Sequence, residues 1–375
     1  MGEPVASFHA RASSNPRFAF DTTAGRWIMV LIPGSLATPG LSERLAAMVG
    51  PHAARLDTLH AYMLVIGTDL ADDQARRLVD GPGRRVLWDD DGSARRALRA
   101  VSPDGTLRTG WLLLDPMLRV FAVWPLERGA EAMETLAALP PPAEHAGVPV
   151  VAPVLVLPRV FEPAFCQRLI AEYERIGGGE SGFMRDEGGR TVGVMDASHK
   201  RRRDAFLEDE TLRTQIRARL NARLVPEIRR AFQYEVTRLE RYVVACYDAA
   251  DKGFFRAHRD NTTKATAHRR FAVTINLNTG DYEGGELNFP EFGPRAYVAP
   301  AGGAVVFSCS LLHEARPVTK GRRYAFLPFL YDEAAAAVRE EGARFLGSND
   351  ALPQRVTEAR ETEARETGAG ARAEA

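Results

Sequence analysis

Two histidines and an aspartate, His258, Asp260 and His313, followed ten residues later by Arg323, are the residues whose types and spacing point most directly to chemistry. They lie in GFFRAHRDNTT and FSCSLLHEARPVTKGRRYAFL, both with the texture of β-strands. Two imidazoles and one carboxylate are the ligand set of a non-haem Fe(II) site: they take one face of the octahedron and leave the other open to substrate and O2. A guanidinium is shaped to take a carboxylate bidentately, so Arg323 is suited to hold the far end of a dicarboxylate co-substrate that chelates the metal with its other end. Arg322 competes for that role. Strand alternation groups Arg323 with Ala325 and Leu327, and Arg322 with Tyr324 and Phe326, and the pattern alone does not choose between them.

An HxD followed later by a His is common by chance, so its weight depends on the elements that position it. Leu239 to Tyr247 (LERYVVACY) and Phe271 to Asn278 (FAVTINLN) are rich in β-branched and aromatic residues, as half-buried strands are. Asp281 to Gly285 (DYEGG) is turn chemistry, Glu286 to Phe289 reads as a short strand, and Ala301-Gly302-Gly303 turns into the apolar run Ala304 to Phe307. Short strands at regular spacing predict a double-stranded β-helix, or jelly roll, able to hold ligands in its mouth. Pro328 inside the expected strand Tyr324 to Leu330 predicts an edge or a bulge there. Phe165 to Ile176 and Glu208 to Phe232 show helical periodicity and place helices ahead of the barrel.

With these residues in view, Tyr242 to Tyr331 resembles the catalytic domain of the 2-oxoglutarate and Fe(II)-dependent dioxygenases, especially the prolyl 4-hydroxylase-like branch. The HxD triplet, YEGGELNFPEFG and APAGGAVVFSCSLLHEARPVTKGRRYAF carry the likeness. It implies that His258, Asp260 and His313 ligate iron, that Arg323 binds the 5-carboxylate of 2-oxoglutarate, and that Tyr247 hydrogen-bonds this co-substrate. Certain animal members carry a co-substrate-binding tyrosine where this chain has Asn276, so Thr274 or Asn276 would supply that contact. The reaction implied is oxidative decarboxylation of 2-oxoglutarate to succinate and CO2 coupled to oxidation of a C–H bond, with ascorbate as an accessory reductant. Halide-installing relatives lack the carboxylate that Asp260 supplies, which makes hydroxylation the expected outcome. The substrate would be a prolyl residue of a protein or a small molecule.

The weaker candidates are charged. His268 with Arg269 and Arg270 reads as a solvated cluster that borders the site. His199 opens HKRRRD, a run expected on an exposed face, although Lys200, Arg202 and Arg203 could touch substrate at the entrance. Lys plus Arg and Asp plus Glu are 49 each, so no bulk charge directs the chain to nucleic acid or a membrane. Cys166, Cys246 and Cys309 offer neither a disulfide framework nor zinc spacing, and this usage fits a reducing cytoplasm. The first thirty residues show no signal-peptide pattern and no apolar run reaches the eighteen residues that would span a bilayer, so a cytoplasmic location is expected.

The composition of the 375 residues divides the chain. The expected domains are 1–140, a Pro/Ala-rich linker over 141–153, the barrel with its helices over 154–346, and a polar tail over 347–375 too poor in apolar residues to fold alone. In the first domain Trp27 to Ile32 and Ala61 to Ile66 read as buried strands, Ser42 to Val49 and Ser93 to Val101 as helices, Trp111 to Leu114 with Phe121 to Trp124 as a hairpin, and Glu127 to Ala138 as a helix. This order, with FAFDTTAGRWIMVLIPGS and GWLLLDPMLRVFAVWP at its ends, resembles an α/β peroxiredoxin or thioredoxin-like domain over about residues 16 to 140. Yet the loop PGSLATPGLSE has no cysteine and none occurs before Cys166. Only a thiolate attacks peroxide, so the resemblance implies a degenerate module that packs on the barrel, mediates a homodimer or binds a partner. Two function classes follow: a 2-oxoglutarate-dependent hydroxylase, or a non-catalytic scaffold built from a redoxin-like domain and an inactive jelly roll.

Overall fold

The computed structural model describes residues 1–57 and 60–347; the tail expected beyond Gly347 lies outside the described residues. The chain forms two compact units, Met1–Ala152 with Phe289–Arg295, and Pro153–Asn288 with Ala296 onward. No helix among the described residues is long and apolar enough to cross a membrane.

The N-terminal unit is built on a seven-stranded sheet. Trp27–Ile32, Ala61–Gly67 and Arg84–Trp88 run parallel. Gly110–Leu114 and Val120–Pro125 continue the sheet antiparallel on the other side of Trp27–Ile32. All six residues of WIMVLI are buried, as a strand covered on both faces requires. The hairpin turns on Asp115, whose Oδ1 accepts from the backbone N–H groups of Met117 and Arg119, the local bonding that makes Asp a turn former. Arg84–Trp88 escaped the sequence reading because two arginines open it; Arg85 lies over the Phe18 ring, 4.7 Å from its centroid. The helix expected over Ser93 to Val101 ends at Ala97. In the loop without a thiol, Ser35 donates to Asp69 at 2.5 Å.

In the second unit the larger sheet carries, as hydrogen-bonded neighbours, Arg238–Glu240, Phe329–Tyr331, Phe271–Asn276, Arg322–Phe326, Val243–Asp248 and Arg203–Phe206, with Ala304–Ser308 also on Phe271–Asn276. A five-stranded sheet holds Lys200–Arg201, Phe254–His258, His313–Ala315, Leu287–Asn288 and Ala296–Tyr297. Alternation sorts the larger sheet into two faces. Val244, Cys246, Val273, Ile275, Val306, Tyr324 and Phe326 pack into one core with Phe165, Leu169, Leu212, Ile216, Leu220 and Ile228 of the preceding helices. Ala245 and Tyr247 fall on the opposite face, in a smaller cluster with Phe255, Ala315 and Val318. A slip of one residue in this register would exchange the two sets, so the apolar outer face fixes which side chains point inward.

Pro163 stands in the first turn of the helix Pro163–Ile176, where its missing N–H costs nothing, and Gly177 at φ +76° ends it. The single helix expected over Glu208–Phe232 is two, Glu210–Arg223 and Val225–Phe232. Asp209 caps the first by accepting from the N–H groups of Thr211 and Leu212. Pro226 cannot continue a helix as a donor but suits the start of one, which explains the break. The strand expected from Tyr324 to Leu330 is likewise interrupted at Leu327-Pro328, and Pro328 presents its carbonyl to the N–H of Val273.

Candidate metal centre

The strands carrying the two histidines are antiparallel neighbours, with His258 directly opposite His313 and a register irregularity between Phe255 and His258. Asp260 follows as the chain leaves its strand, and its N–H is held by the carbonyl of Cys309 at 3.0 Å. Each of the three residues offers one ligand atom, and these atoms all lie within 4.8 Å of one another. His258 Nε2 stands 3.5 Å from Asp260 Oδ1 and His313 Nε2 3.4 Å from Oδ2.

The tautomers follow from the other ring nitrogens. His258 Nδ1 faces the carbonyl of Arg256 at 2.7 Å and His313 Nδ1 that of Leu311 at 3.0 Å. A carbonyl only accepts, so both protons belong on Nδ1 and both Nε2 lone pairs turn toward Asp260, the second bond that orients a metal-binding histidine. Burial, reinforced by His313, pushes the His258 imidazole down to about 4, which keeps it neutral at pH 7. Burial would raise the Asp260 carboxyl, but His313 and His258 outweigh it and hold the group below the usual carboxylate range. One carboxylate and two lone-pair donors facing a common point fit a divalent cation of borderline hardness such as Fe(II). The rings are braced by Phe255, stacked on His258 at 3.5 Å between centroids, and by Phe307, edge-on to His313 at 4.6 Å.

The choice between the adjacent arginines follows from the sheet faces. Arg323 is 2% exposed and points inward. Its Nη2 donates to Asn276 Oδ1 at 3.1 Å, and its guanidinium lies 5.1 Å from the centroid of the Tyr247 ring, the residue opposite it in the sheet. Arg322 is exposed and ion-paired to Asp248 at 2.8 Å. Asn276, expected as a contact to a bound carboxylate, has both ends of its amide engaged, since its Nδ2 donates to the Ala299 carbonyl. It accepts from Arg323 through Oδ1, while Thr274 is buried on the same inward face. Gly285 of the DYEGG turn adopts φ +71°, and a Cβ there would come within 2.8 Å of Val318 Cγ2 and 2.9 Å of Arg323 Cδ. Gly285→Ala is expected to cost about 1–3 kcal/mol of stability and to displace Arg323, measured as a lower unfolding midpoint together with weaker 2-oxoglutarate binding.

The basic run expected on an exposed face is only partly exposed. Lys200 and Arg202 are buried: Lys200 Nζ donates to Ser181 Oγ at 2.7 Å and to the Gly182 carbonyl at 2.6 Å, and Arg202 pairs with Asp204 at 2.7 Å. Alternation sends Arg203 outward, where it donates to the Gly178 carbonyl. His199 packs against Phe183. His268 and Arg269 also depart from the expected solvated cluster. Both are buried, and both bind Glu240 at 2.7 Å. Sequence reasoning missed Glu240 because its partners lie almost thirty residues away on another segment and no local pattern announces them. Burial opposes its charge, but Arg269 and His268 hold its carboxyl well below the ordinary 4.5. A depressed carboxyl stabilises the fold above that value and loses the contribution as pH falls below it. Glu240→Gln is expected to destabilise the protein by roughly 3 kcal/mol near neutrality. Denaturant titration across pH checks this: the gap from wild type should narrow once pH drops below 4.5. The three cysteines are unpaired and buried, and burial raises the thiols of Cys166 and Cys246 to about 11, as packing residues rather than nucleophiles.

The model of the 2OG-Fe(II) oxygenase superfamily matches residues 242–331, the segment that holds all three donors and Arg323. A PKHD-type hydroxylase of Shewanella sp. (strain ANA-3) is 30% identical over 166 residues, 43% of this chain and 71% of that protein. The chain belongs to the 2OG-Fe(II) oxygenase superfamily. A PKHD-type hydroxylase of Synechococcus sp. (strain JA-2-3B'a(2-13)) is 33% identical over 89 residues, so the match spans 22% of the oxygenase and only 39% of that relative. Among solved structures, a Trichoplax adhaerens prolyl hydroxylase in complex with a hypoxia inducible factor peptide fragment covers 50% of the oxygenase and 87% of its own chain, at 16% identity and a TM-score of 0.38. A mitochondrial 2-cys peroxiredoxin from Plasmodium falciparum covers 37% of the oxygenase and 92% of its own chain, at 13% identity and a TM-score of 0.30. Likeness at these scores is too slight to bear on function.

Proposed function

We propose that this oxygenase is a 2-oxoglutarate-dependent hydroxylase acting on a C–H bond of a peptidyl proline or a small molecule, with His258, Asp260 and His313 as iron ligands and Arg323 as the anchor of the co-substrate. The observation that carries this reading is the convergence of three ligand atoms within 4.8 Å, both imidazole Nε2 lone pairs turned inward, in a barrel whose inward face also presents a buried arginine. Bound iron with 2-oxoglutarate and O2 would supply oxidation of the C–H bond, with succinate and CO2 as co-products.

The chain's own residues fix and shield that chemistry. The carbonyls of Arg256 and Leu311 hold the imidazole protons on Nδ1, so no proton competes at Nε2. Asn276 and the Tyr247 ring fix the Arg323 guanidinium on two sides, leaving the rest of its fork for the 5-carboxylate of 2-oxoglutarate. Tyr247 serves chiefly as that platform, and ascorbate would enter only as an external reductant. The N-terminal unit, with parallel strands on one side of its sheet and an antiparallel hairpin on the other, fits a thioredoxin-like module without redox chemistry of its own.

Mass spectrometry of host lysate incubated with enzyme, Fe(II) and 2-oxoglutarate tests the reading. The expected result is a peptide or metabolite heavier by one oxygen atom, formed with succinate and absent without 2-oxoglutarate. Succinate that never rises above a metal-free control would instead favour a non-catalytic scaffold.

A further inference from the structure

The inward-facing cations of the barrel are nearly all accounted for. Arg202 is paired with Asp204, Arg269 with Glu240, Lys200 is held by two oxygen acceptors, and Arg323 is bonded to Asn276. Arg241 is different. Its Nε is buried with no hydrogen-bond partner, and among the described residues no carboxylate forms an ion pair with it. The two acids in its field, Glu240 and Asp204, are already engaged by other groups. Burial, with Arg269 and Arg202 nearby, pushes its guanidinium down to about 10, so it remains charged at pH 7 without a counter-ion. Its backbone sits at φ +71°, a region that a residue with a long side chain seldom occupies. A part-buried guanidinium with an enclosed, unpartnered Nε on a strained backbone is costly and persists where something else uses it.

Its position indicates what that use is. Tyr247 lies opposite Arg323 in the sheet, and Arg241 precedes Tyr247 by six residues, just before the strand begins at Val243. At roughly 3.3 Å per residue the two arginines stand on the order of 15–20 Å apart along the sheet. The Arg241 guanidinium lies 4.5 Å from the centroid of the Phe329 ring, and the same ring carries Arg269 at 4.0 Å. Arg269 in turn donates to the Asp260 carbonyl at 3.4 Å. One aromatic ring and one paired arginine therefore lie between the Arg241 guanidinium and the backbone of Asp260.

We infer that Arg241, lying over Phe329, binds a carboxylate of the primary substrate, which is a small organic acid. This rests on the hydroxylase reading above and adds its substrate class. A part-buried guanidinium with its Nε enclosed favours a compact anion over a charge on the rim of a large partner. The carboxylate is untouched by the reaction: substrate C–H, 2-oxoglutarate and O2 give C–OH, succinate and CO2.

The test uses the full chain loaded with Fe(II) and 2-oxoglutarate under anaerobic conditions. The twenty N-acetyl amino acids and their amides, matched in shape and differing in one charge, are titrated calorimetrically into wild type, Arg241→Gln and Arg241→Lys, after the 2-oxoglutarate affinity of each protein has been measured. The expected result is at least one acid bound about tenfold or more tighter than its amide by wild type. That preference should be lost in Arg241→Gln and partly kept in Arg241→Lys, with 2-oxoglutarate affinity unchanged. If wild type prefers no acid to its amide, or if Arg241→Gln keeps the preference, the inference is wrong while the hydroxylase reading stands. If wild type binds no 2-oxoglutarate, both fall together.

Discussion

Asp260→Ala is expected to abolish tight Fe(II) binding and to lower 2-oxoglutarate turnover by more than about 100-fold. Loss of a partner that merely orients a metal ligand already costs 10–100-fold in affinity or activity, and Asp260 would be a ligand itself. It would also be the sole anionic ligand of the three. Without it, two imidazoles remain 4.3 Å apart between centroids, with no carboxylate to offset the desolvation of a dication. The fold should tolerate the change, because the N–H of residue 260 keeps its bond to Cys309 and the side chain's companions are the two histidines. The check is calorimetric Fe(II) titration beside a succinate assay, with an unchanged far-ultraviolet spectrum. A variant that binds iron like wild type would remove Asp260 from the ligand set.

Arg323→Ala and Arg322→Ala should behave as opposites. Arg323 is buried and fixed between Asn276 and Tyr247, so its loss would leave the co-substrate carboxylate desolvated without a partner. Truncating one member of a buried charge pair costs about 2–5 kcal/mol, which corresponds to roughly 30- to 5000-fold in 2-oxoglutarate affinity. Arg323→Lys keeps the charge but loses the fork and should recover only part of this. Arg322→Ala breaks a half-exposed pair with Asp248 and should leave the 2-oxoglutarate requirement within about twofold, since exposed pairs contribute little. Initial rates across 2-oxoglutarate concentrations separate the two, and equal effects would contradict the division of roles.

How legible was the site in the sequence? The HxD, the later His and the arginine could be read because strands bring residues of the same parity to one face and because these residue types share few other purposes at that spacing. The same alternation grouped Arg322 with Tyr324 and Phe326, and those two aromatics proved to be the outward, helix-packed set. What the sequence lacked was which face was apolar, and that depends on helices seventy or more residues earlier in the chain. The Glu240–His268–Arg269 cluster was invisible for a related reason: a charged run reads as solvated unless a distant partner is known. Arg241 was hidden in LERYVVACY, where a positive φ splits what the pattern presents as one strand. The two broken elements, at Pro226 and Pro328, were marked by proline in both cases. The N-terminal sheet was readable where its strands were wholly apolar and was missed where two arginines open a strand, at Arg84–Trp88.

The most direct test of the central claim is the stoichiometry of iron in the wild-type chain. Anaerobic Fe(II) titration of metal-free protein, followed by 2-oxoglutarate and one exposure to O2, should show one iron bound per chain and succinate formed in proportion to that iron. Absence of iron binding at micromolar concentrations, or succinate independent of bound iron, would contradict the assignment of His258, Asp260 and His313.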